Sequence, residues 1–144
     1  MANPADPFDL ERFVQAQAKD YAQALSELRA GRKDTHWIWY VLPQLRELGR
    51  SPRALFYGIG SAAEARAYLA HPLLGSRLRE CASALNALAT SNAVAVLGAV
   101  DAAKFRSCLT LFLAVAPHEA TLREALDKFY GGAPDERTVA LLAA

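Results

Sequence analysis

The chain has few of the features that mark an exported, membrane-spanning or metal-binding protein. It contains only two cysteines and three histidines, and their positions lack the spacing of a zinc site. The N-terminus has no basic segment followed by an apolar run, so we expect no signal peptide. No window holds the roughly 18 consecutive apolar residues of a membrane helix. These absences favour a cytoplasmic protein that needs no metal or cofactor and whose Cys81 and Cys108 are reduced, buried thiols.

An excess of charge of one sign is also missing. The 16 lysines and arginines nearly balance the 15 aspartates and glutamates. We therefore expect no duplex nucleic acid as a partner, because such binding needs a strongly basic face. The 144 residues, of which 53 % are hydrophobic, are enough to form one globular domain over residues 1–144. We expect residues 1–5 to be a flexible N-terminus, and no pattern indicates a particular oligomeric state.

Sheet-forming patterns are absent, and nearly every periodic segment predicts a helix. No stretch alternates apolar and polar residues around a hairpin turn. The segment 6–31 has apolar residues at helical spacing, with Asp6 as its cap and Gly31 at its end. Further helices are predicted to begin at Ser51, Ser61, Pro72, Asp101 and Asp135, and one over 118–132 to close at Gly131 or Gly132. The fold class predicted is all-α, a single compact multihelical domain.

The densest aromatic stretch is HWIWYVLPQL, residues 36–45. As a strand it would be apolar on both faces, which requires the middle of a sheet that the rest of the chain does not supply. A short helix over residues 35–42, limited by Pro43, fits the helical context better. We therefore predict a short central helix.

The same stretch is also a candidate wall of a ligand pocket. Trp37 and Trp39 offer large apolar faces on which a planar ring can stack, and His36 and Gln44 add polar groups at the two ends. The alternative is a purely structural core helix. The two interpretations are compatible, and we expect one tryptophan in the core and the other, Trp39, on the pocket wall opposite Glu11.

Two cations precede this stretch. Arg32 and Lys33 lead into the backbone N–H groups of a predicted helix start, an arrangement that suits an anion or a phosphate. The alternative is an ordinary solvated loop with a helix cap, because Asp34 brings a negative charge to the same place.

Glu11 is the candidate catalytic residue. At helical spacing it lies near apolar and aromatic side chains, where partial desolvation raises the pKa of a carboxyl and suits general acid–base chemistry. The alternative is that a glutamate in a first turn simply complements the helix dipole. Gln17 lies on the stripe of the same helix that faces the core and is a candidate ligand contact.

The remaining candidate ligand contacts are polar or aromatic residues within otherwise apolar segments. They are Tyr57, Lys104, Asp127 and Tyr130. A helix C-cap with a double glycine accounts for the last two without any ligand. No P-loop, no dinucleotide-binding glycine motif and no nucleophile-elbow motif is present.

Six segments together resemble a bacterial family, domain of unknown function 1810, sometimes labelled calpastatin-like. They lie at residues 6–17, 31–45, 49–59, 68–81, 104–112 and 127–138, so the resemblance covers essentially the whole chain. An inhibitor of the calpastatin kind would be a disordered repeat chain, which these residues do not indicate. The family is grouped with the YbiA-like (NADAR) superfamily, and the resemblance implies a compact YbiA-like helical fold.

The superfamily resemblance implies a nucleotide-like ligand. Its members are linked to ADP-ribose and N-ribosyl nucleotides, some as N-glycosidases. Glu11, Phe13 and the Gln-Ala-Gln of residues 15–17 match its N-terminal motif in order. Its C-terminal Trp-Gly-Asp element corresponds to Tyr130-Gly131-Gly132 here, so the second acidic group is missing at Gly132. Asp127 or Asp135 would have to substitute for it.

Three functions follow as hypotheses. The first is an N-glycosidase-like hydrolase of an ADP-ribose-like or N-ribosylated nucleotide, with Glu11 as general acid–base. The second is a non-catalytic sensor of the same ligand class, which the missing aspartate favours. The third is a protein-interaction module in which the aromatic stretch is core or interface.

Overall fold

The computed structural model describes residues 5–144 and contains nine α-helices in that range. They are α1 (Glu11–Ala30), α2 (Ile38–Val41), α3 (Pro52–Phe56), α4 (Ala62–Ala70), α5 (Leu74–Asn86), α6 (Ala93–Leu97), α7 (Ala99–Val115), α8 (Ala120–Tyr130) and α9 (Glu136–Ala143). No strand forms within the described part; a single bridge joins Leu45 to Ile59. The predicted all-α class is confirmed. Most of the predicted flexible N-terminus, residues 1–4, lies outside the described residues.

Helix α7 lies at the centre of the core. It packs against α4, α6, α8 and α9, while α5 packs against α1, α4 and α8. A helix surrounded in this way must be apolar on most of its faces, and Phe105, Leu109 and Phe112 are fully buried. Within residues 5–144 none of the helices combines the length and apolarity needed to cross a membrane.

Both cysteines are free and buried in this core, as predicted. Burial raises the pKa of the Cys81 thiol to about 12. A thiol with such a pKa carries almost no thiolate at neutral pH, so it is a packing group and not a nucleophile.

Local capping signals account for many of the helix ends. The Ser61 hydroxyl accepts a hydrogen bond from the Glu64 backbone N–H at 3.1 Å, and the Asp135 carboxylate accepts one from Thr138 at 2.9 Å. Gly31 ends α1 with a φ of 77°, in the left-handed region that glycine adopts without strain. These caps confirm the predicted boundaries at α4, α9 and the end of α1.

Several predicted starts are displaced: the helix predicted from Pro72 begins at Leu74, and the one predicted over 118–132 begins at Ala120. Helix α1 begins at Glu11 and not at Asp6, because Asp9 has a φ of 52° and breaks the helical path before it. The Asp6 carboxylate still accepts from the backbone N–H of Leu10 and of Glu11. Asp101 is not a cap, because α7 begins at Ala99.

Other boundaries also differ from the prediction. The short helix α6, capped by the Asn92 side chain, was not predicted. Helix α2 has four residues, 38–41, and is shorter than the predicted 35–42. A single turn of helix gains little from its own hydrogen bonds, so packing of its side chains must hold it in place.

A buried carboxylate holds the loop between α1 and α2. Glu27 is 4 % exposed and accepts hydrogen bonds from the backbone N–H groups of Asp34 at 2.8 Å and Thr35 at 2.9 Å. The Trp37 indole N–H donates to it at 3.0 Å, and the Thr35 hydroxyl and the Gln23 amide donate as well. Five donors thus compensate the burial of one negative charge.

These donors determine the protonation of Glu27. Burial on its own would raise the pKa of the carboxyl, but the hydrogen bonds from Thr35, Gln23 and Trp37 outweigh it and lower the pKa to about 2, from an ordinary value of 4.5. A group whose pKa is depressed on folding stabilises the fold above its unfolded-state pKa, and this stability is lost as the pH falls through the folded-state pKa.

We predict that Glu27→Gln lowers the free energy of unfolding by about 3 kcal/mol at neutral pH, because the amide cannot satisfy five donors as a carboxylate does. Urea unfolding at several pH values measures this. The difference in the free energy of unfolding between wild type and variant should be largest above pH 4.5. It should shrink as the pH falls toward 2, because the Glu27 carboxyl becomes protonated between its ordinary pKa of 4.5 and its pKa of about 2 in the folded protein. The matched control is Glu47→Gln, at an exposed site. A gap that is absent, or constant over that range, would contradict the account.

Candidate functional site

A cleft of about 530 Å³ lies between α1, the start of α2 and α3. We call it the α1–α3 cleft. Its lining residues are Arg12, Gln15, Ala16, Lys19, Asp20, His36, Tyr40, Arg53, Phe56 and Tyr57. The volume is in the range of small-molecule sites in proteins.

Helix α1 forms the floor of the cleft. Arg12, Ala16 and either Lys19 or Asp20 follow one another at spacings of three or four residues, so they share a face of the helix. At 1.5 Å of rise per residue, the row from Arg12 to Asp20 is about 12 Å long.

Aromatic rings form one wall. The ring of Tyr57 lies 5.0 Å from that of Tyr40 and 4.8 Å from that of Phe56, between centroids. Phe56 is 58 % exposed at the rim of the cleft. Its uncovered ring is a large apolar surface beside a polar cleft and is available for a planar group to stack on.

Arg12 has a structural role at the cleft. All the N–H groups of its guanidinium are used, by the carbonyls of Phe8, Asp9, Phe56 and Gly58 and by the carboxylate of Glu64. The ion pair with Glu64 is 2.7 Å long, and the two side chains are 7 % and 4 % exposed. Arg12 therefore fixes α3 and the following loop against α1.

Asp20 and Tyr40 are also paired. The Tyr40 hydroxyl donates a hydrogen bond to Oδ2 of Asp20. Burial, and then this bond to Asp20, raise the pKa of Tyr40 above its ordinary value. The phenol consequently remains a protonated donor at all physiological pH values.

Other polar groups of the cleft are uncommitted. Within residues 5–144 the structure shows no side-chain hydrogen bond or ion pair for Gln15, Lys19, His36, Arg53 or Tyr57. Lys19 and Arg53 are thus cations without an acidic partner, and Arg53 stacks over the ring of Trp39 at 5.1 Å. The described residues contain no group of three or more His, Cys, Asp or Glu side chains placed to hold a metal ion.

Trp39 borders a second, much smaller cavity. This cavity has about 10 Å³ and is lined by Gln44, Tyr57 and Lys104, among others. The Arg53 guanidinium and the Lys104 ammonium both lie near the Trp39 ring, the latter 5.6 Å from its centroid. The Trp39 indole N–H is buried without a hydrogen-bond partner among the described residues. Such a space holds about one water molecule and no ligand ring.

Two predicted ligand contacts are core residues. Trp37 is 1 % exposed, and its indole N–H donates to Glu27. Gln17 is also 1 % exposed, and its amide donates to the backbone carbonyl of Tyr40 at 2.6 Å and to the Tyr68 hydroxyl at 3.1 Å. Their polar atoms are used to satisfy the core, so neither lines the α1–α3 cleft. The core position of Trp37 agrees with the expectation that one of the two tryptophans lies in the core.

The predicted phosphate site is filled by the chain itself. The backbone N–H groups that follow Lys33 donate to Glu27, so an anion does bind there, but it is a side chain of α1. Lys33 is 4 % exposed at its side chain and pairs with Asp101 at 2.8 Å. Arg32 is 81 % exposed and pairs with Asp34 at 3.1 Å. Both cations that the sequence analysis assigned to a ligand phosphate are thus paired with acidic side chains of the chain itself.

The predicted acid and the predicted C-terminal contacts lie apart from one another. Glu11 is exposed at the start of α1 and does not line the α1–α3 cleft. Tyr130 donates to a backbone carbonyl of α7 and borders a different cavity, and Asp127 is exposed on α8. Trp39 and Gln44 share the small cavity, so these five residues do not converge on one concave surface.

The cleft does include two predicted contacts, His36 and Tyr57. Sequence reasoning missed the cations Lys19 and Arg53 and the acid Asp20. A signal was present, because residues 12, 16, 19 and 20 recur at helical spacing beside the core-facing stripe. That spacing is shared by any solvated helix face, so it becomes informative only when α3 is known to lie opposite.

Comparison with known proteins places these residues in a family. The model of the family described as "Protein of unknown function (DUF1810)" matches residues 7–142. Among solved structures, the conserved hypothetical protein Rv1873 from Mycobacterium tuberculosis is 50 % identical and has a TM-score of 0.94. That match covers 96 % of this chain and 99 % of the other. No curated protein matches this chain significantly.

We predict that Arg12→Lys lowers the free energy of unfolding by about 2 kcal/mol, because an ammonium with three donors cannot bond to four carbonyls and one carboxylate at once. Urea unfolding measures the effect. Arg66→Lys, at an exposed position of α4, is the matched control and should change stability little. Equal stability of the two variants would show that the Arg12 contacts do not hold α3 in place.

Proposed function

We propose that this chain, which belongs to the DUF1810 family of proteins of unknown function, binds a small phosphorylated, nucleotide-like ligand in the α1–α3 cleft. One observation carries the proposal. The cleft combines two cations without acidic partners, Lys19 and Arg53, with the exposed ring of Phe56 and the neighbouring ring of Tyr57.

This combination suits a molecule with an anionic end and a planar end. An arginine guanidinium and a lysine ammonium bind phosphate oxygens through charge-assisted hydrogen bonds. An aromatic ring offers a face on which a nucleobase stacks. The resemblance to the NADAR superfamily independently favours an ADP-ribose-like ligand.

Binding is better supported than hydrolysis. The resemblance assigns N-glycosidic cleavage to Glu11, but that carboxylate is exposed outside the cleft. The cleft has its own carboxylate, Asp20, which already accepts a hydrogen bond from Tyr40. A non-catalytic sensor or carrier is therefore the function that the geometry supports best.

We expect ADP-ribose to bind the purified protein in a calorimetric titration, and Lys19→Ala and Arg53→Ala each to weaken binding about tenfold through loss of a charge-assisted contact. The affinity should also fall as salt is added, because the contacts are ionic. Arg137→Ala removes an exposed cation on α9, away from the cleft, and should bind like the wild type.

The same protein tests hydrolysis. Incubation with NAD should release no nicotinamide, in wild type or in Glu11→Gln, if the cleft only binds. Release by the wild type that is lost in Glu11→Gln would favour the N-glycosidase instead. No binding of ADP-ribose at millimolar concentration, or binding that neither Lys19→Ala nor Arg53→Ala weakens, would contradict the proposed site.

A further inference from the structure

One group in the α1–α3 cleft does not suit an anionic ligand. Asp20 places a carboxylate in the cleft that also holds Lys19, Arg53 and His36. A carboxylate repels phosphate and, when ionised, accepts hydrogen bonds without donating any. It therefore reduces the affinity for an anion unless the ligand brings a hydrogen-bond donor to it.

The position of this carboxylate is fixed. Tyr40, which is 7 % exposed, donates its hydroxyl proton to Oδ2 of Asp20. The backbone carbonyl of Tyr40 is held in turn by the buried amide of Gln17, at 2.6 Å. Oδ1 of Asp20 has no hydrogen-bond donor among residues 5–144. The cleft thus presents one oriented acceptor whose second oxygen is available to a ligand.

Donors line the same cleft as this acceptor. Tyr57 and Arg53 are among its lining residues, and the ring of Tyr57 lies 5.0 Å from that of Tyr40, the tyrosine bonded to Asp20. A ligand hydroxyl can donate to Asp20 and at the same time accept from Tyr57 or Arg53. A nucleobase amino group can only donate, and so it uses one side of this arrangement. An acceptor, Asp20, and donors in one cleft therefore favour a ligand hydroxyl over a nucleobase amino group.

We infer that Asp20 is a specificity-determining residue that accepts a hydrogen bond from a ribose hydroxyl, so that the cleft selects ribonucleotides over nucleotides without sugar hydroxyls. The inference rests on the proposed function of the cleft and names its ligand class more narrowly. Carboxylate recognition of ribose hydroxyls is established chemistry in dinucleotide-binding folds. Here the carboxylate is oriented by a tyrosine.

Calorimetric titrations with ADP, 2′,3′-dideoxy-ADP and inosine diphosphate test this inference on the wild-type protein. ADP should bind about tenfold more tightly than its dideoxy form, because a hydrogen bond to a charged acceptor is lost. Inosine diphosphate, which keeps the ribose and lacks the amino group, should bind like ADP. Loss of affinity for inosine diphosphate alone would assign the donor to the base and overturn the inference.

The variant Asp20→Asn makes the test specific, since its amide oxygen can still accept from Tyr40 and preserve the fold. In this variant the preference for ADP should shrink to about threefold or less, and the dideoxy form should bind more tightly than to wild type because the repulsion of phosphate is gone. Asp127→Asn, at an exposed site on α8, is the matched control and should keep the full preference.

The two proposals fail in distinguishable ways. Equal wild-type affinity for ADP and its dideoxy form would contradict the role of Asp20 while leaving the cleft as a nucleotide site. No binding of ADP or its dideoxy form by a wild-type protein that binds ADP-ribose would contradict the role of Asp20 alone, and no binding of any of the three would contradict both the role of Asp20 and the proposed function.

Discussion

The buried carboxylate of Glu27 is the interaction on which the candidate site depends. It gathers backbone and side-chain donors of the loop after α1, including the indole N–H of Trp37, and so sets where α2 begins. Trp37 then fills the core, and His36, the residue before it, lies on the wall of the cleft. Lys33, in the same loop after α1, forms an ion pair with Asp101 and so attaches this loop to α7. A charge inside the fold thereby determines the shape of a surface site.

A second buried ionic contact holds the opposite wall. Arg12 and Glu64 form an ion pair, and the remaining donors of Arg12 bond to carbonyls just before α1, at the end of α3 and at Gly58. Lys19 and Arg53 form none of the ion pairs within the described part of the chain, so both cations are available to a ligand. The cation that pairs within the fold, Arg12, thus has a structural role, whereas the unpaired cations Lys19 and Arg53 are the candidates for ligand binding.

Helix ends with local caps, such as Ser61 and Asp135, were predicted from the sequence because cap and helix are neighbours in the chain. The ion pair of Lys33 was not predicted, because its partner Asp101 is distant in the sequence and approaches Lys33 only in the folded chain. The sequence predicted that the backbone N–H groups before Trp37 suit an anion, and they do bind one. That anion is the carboxylate of Glu27, which lies on α1. In the cleft, His36 and Tyr57 were predicted, whereas Asp20 and Arg53 resemble ordinary surface residues until α1 and α3 are seen to face each other.

The central claim is that the α1–α3 cleft is the ligand site of this fold. Amide chemical shifts recorded by NMR during a titration with ADP-ribose test it residue by residue. The account predicts saturable shifts confined to residues 15–20, His36 and the segment 53–57. Shifts clustered instead around Tyr130, or around the apolar groove between Leu113 and Val139, would contradict it.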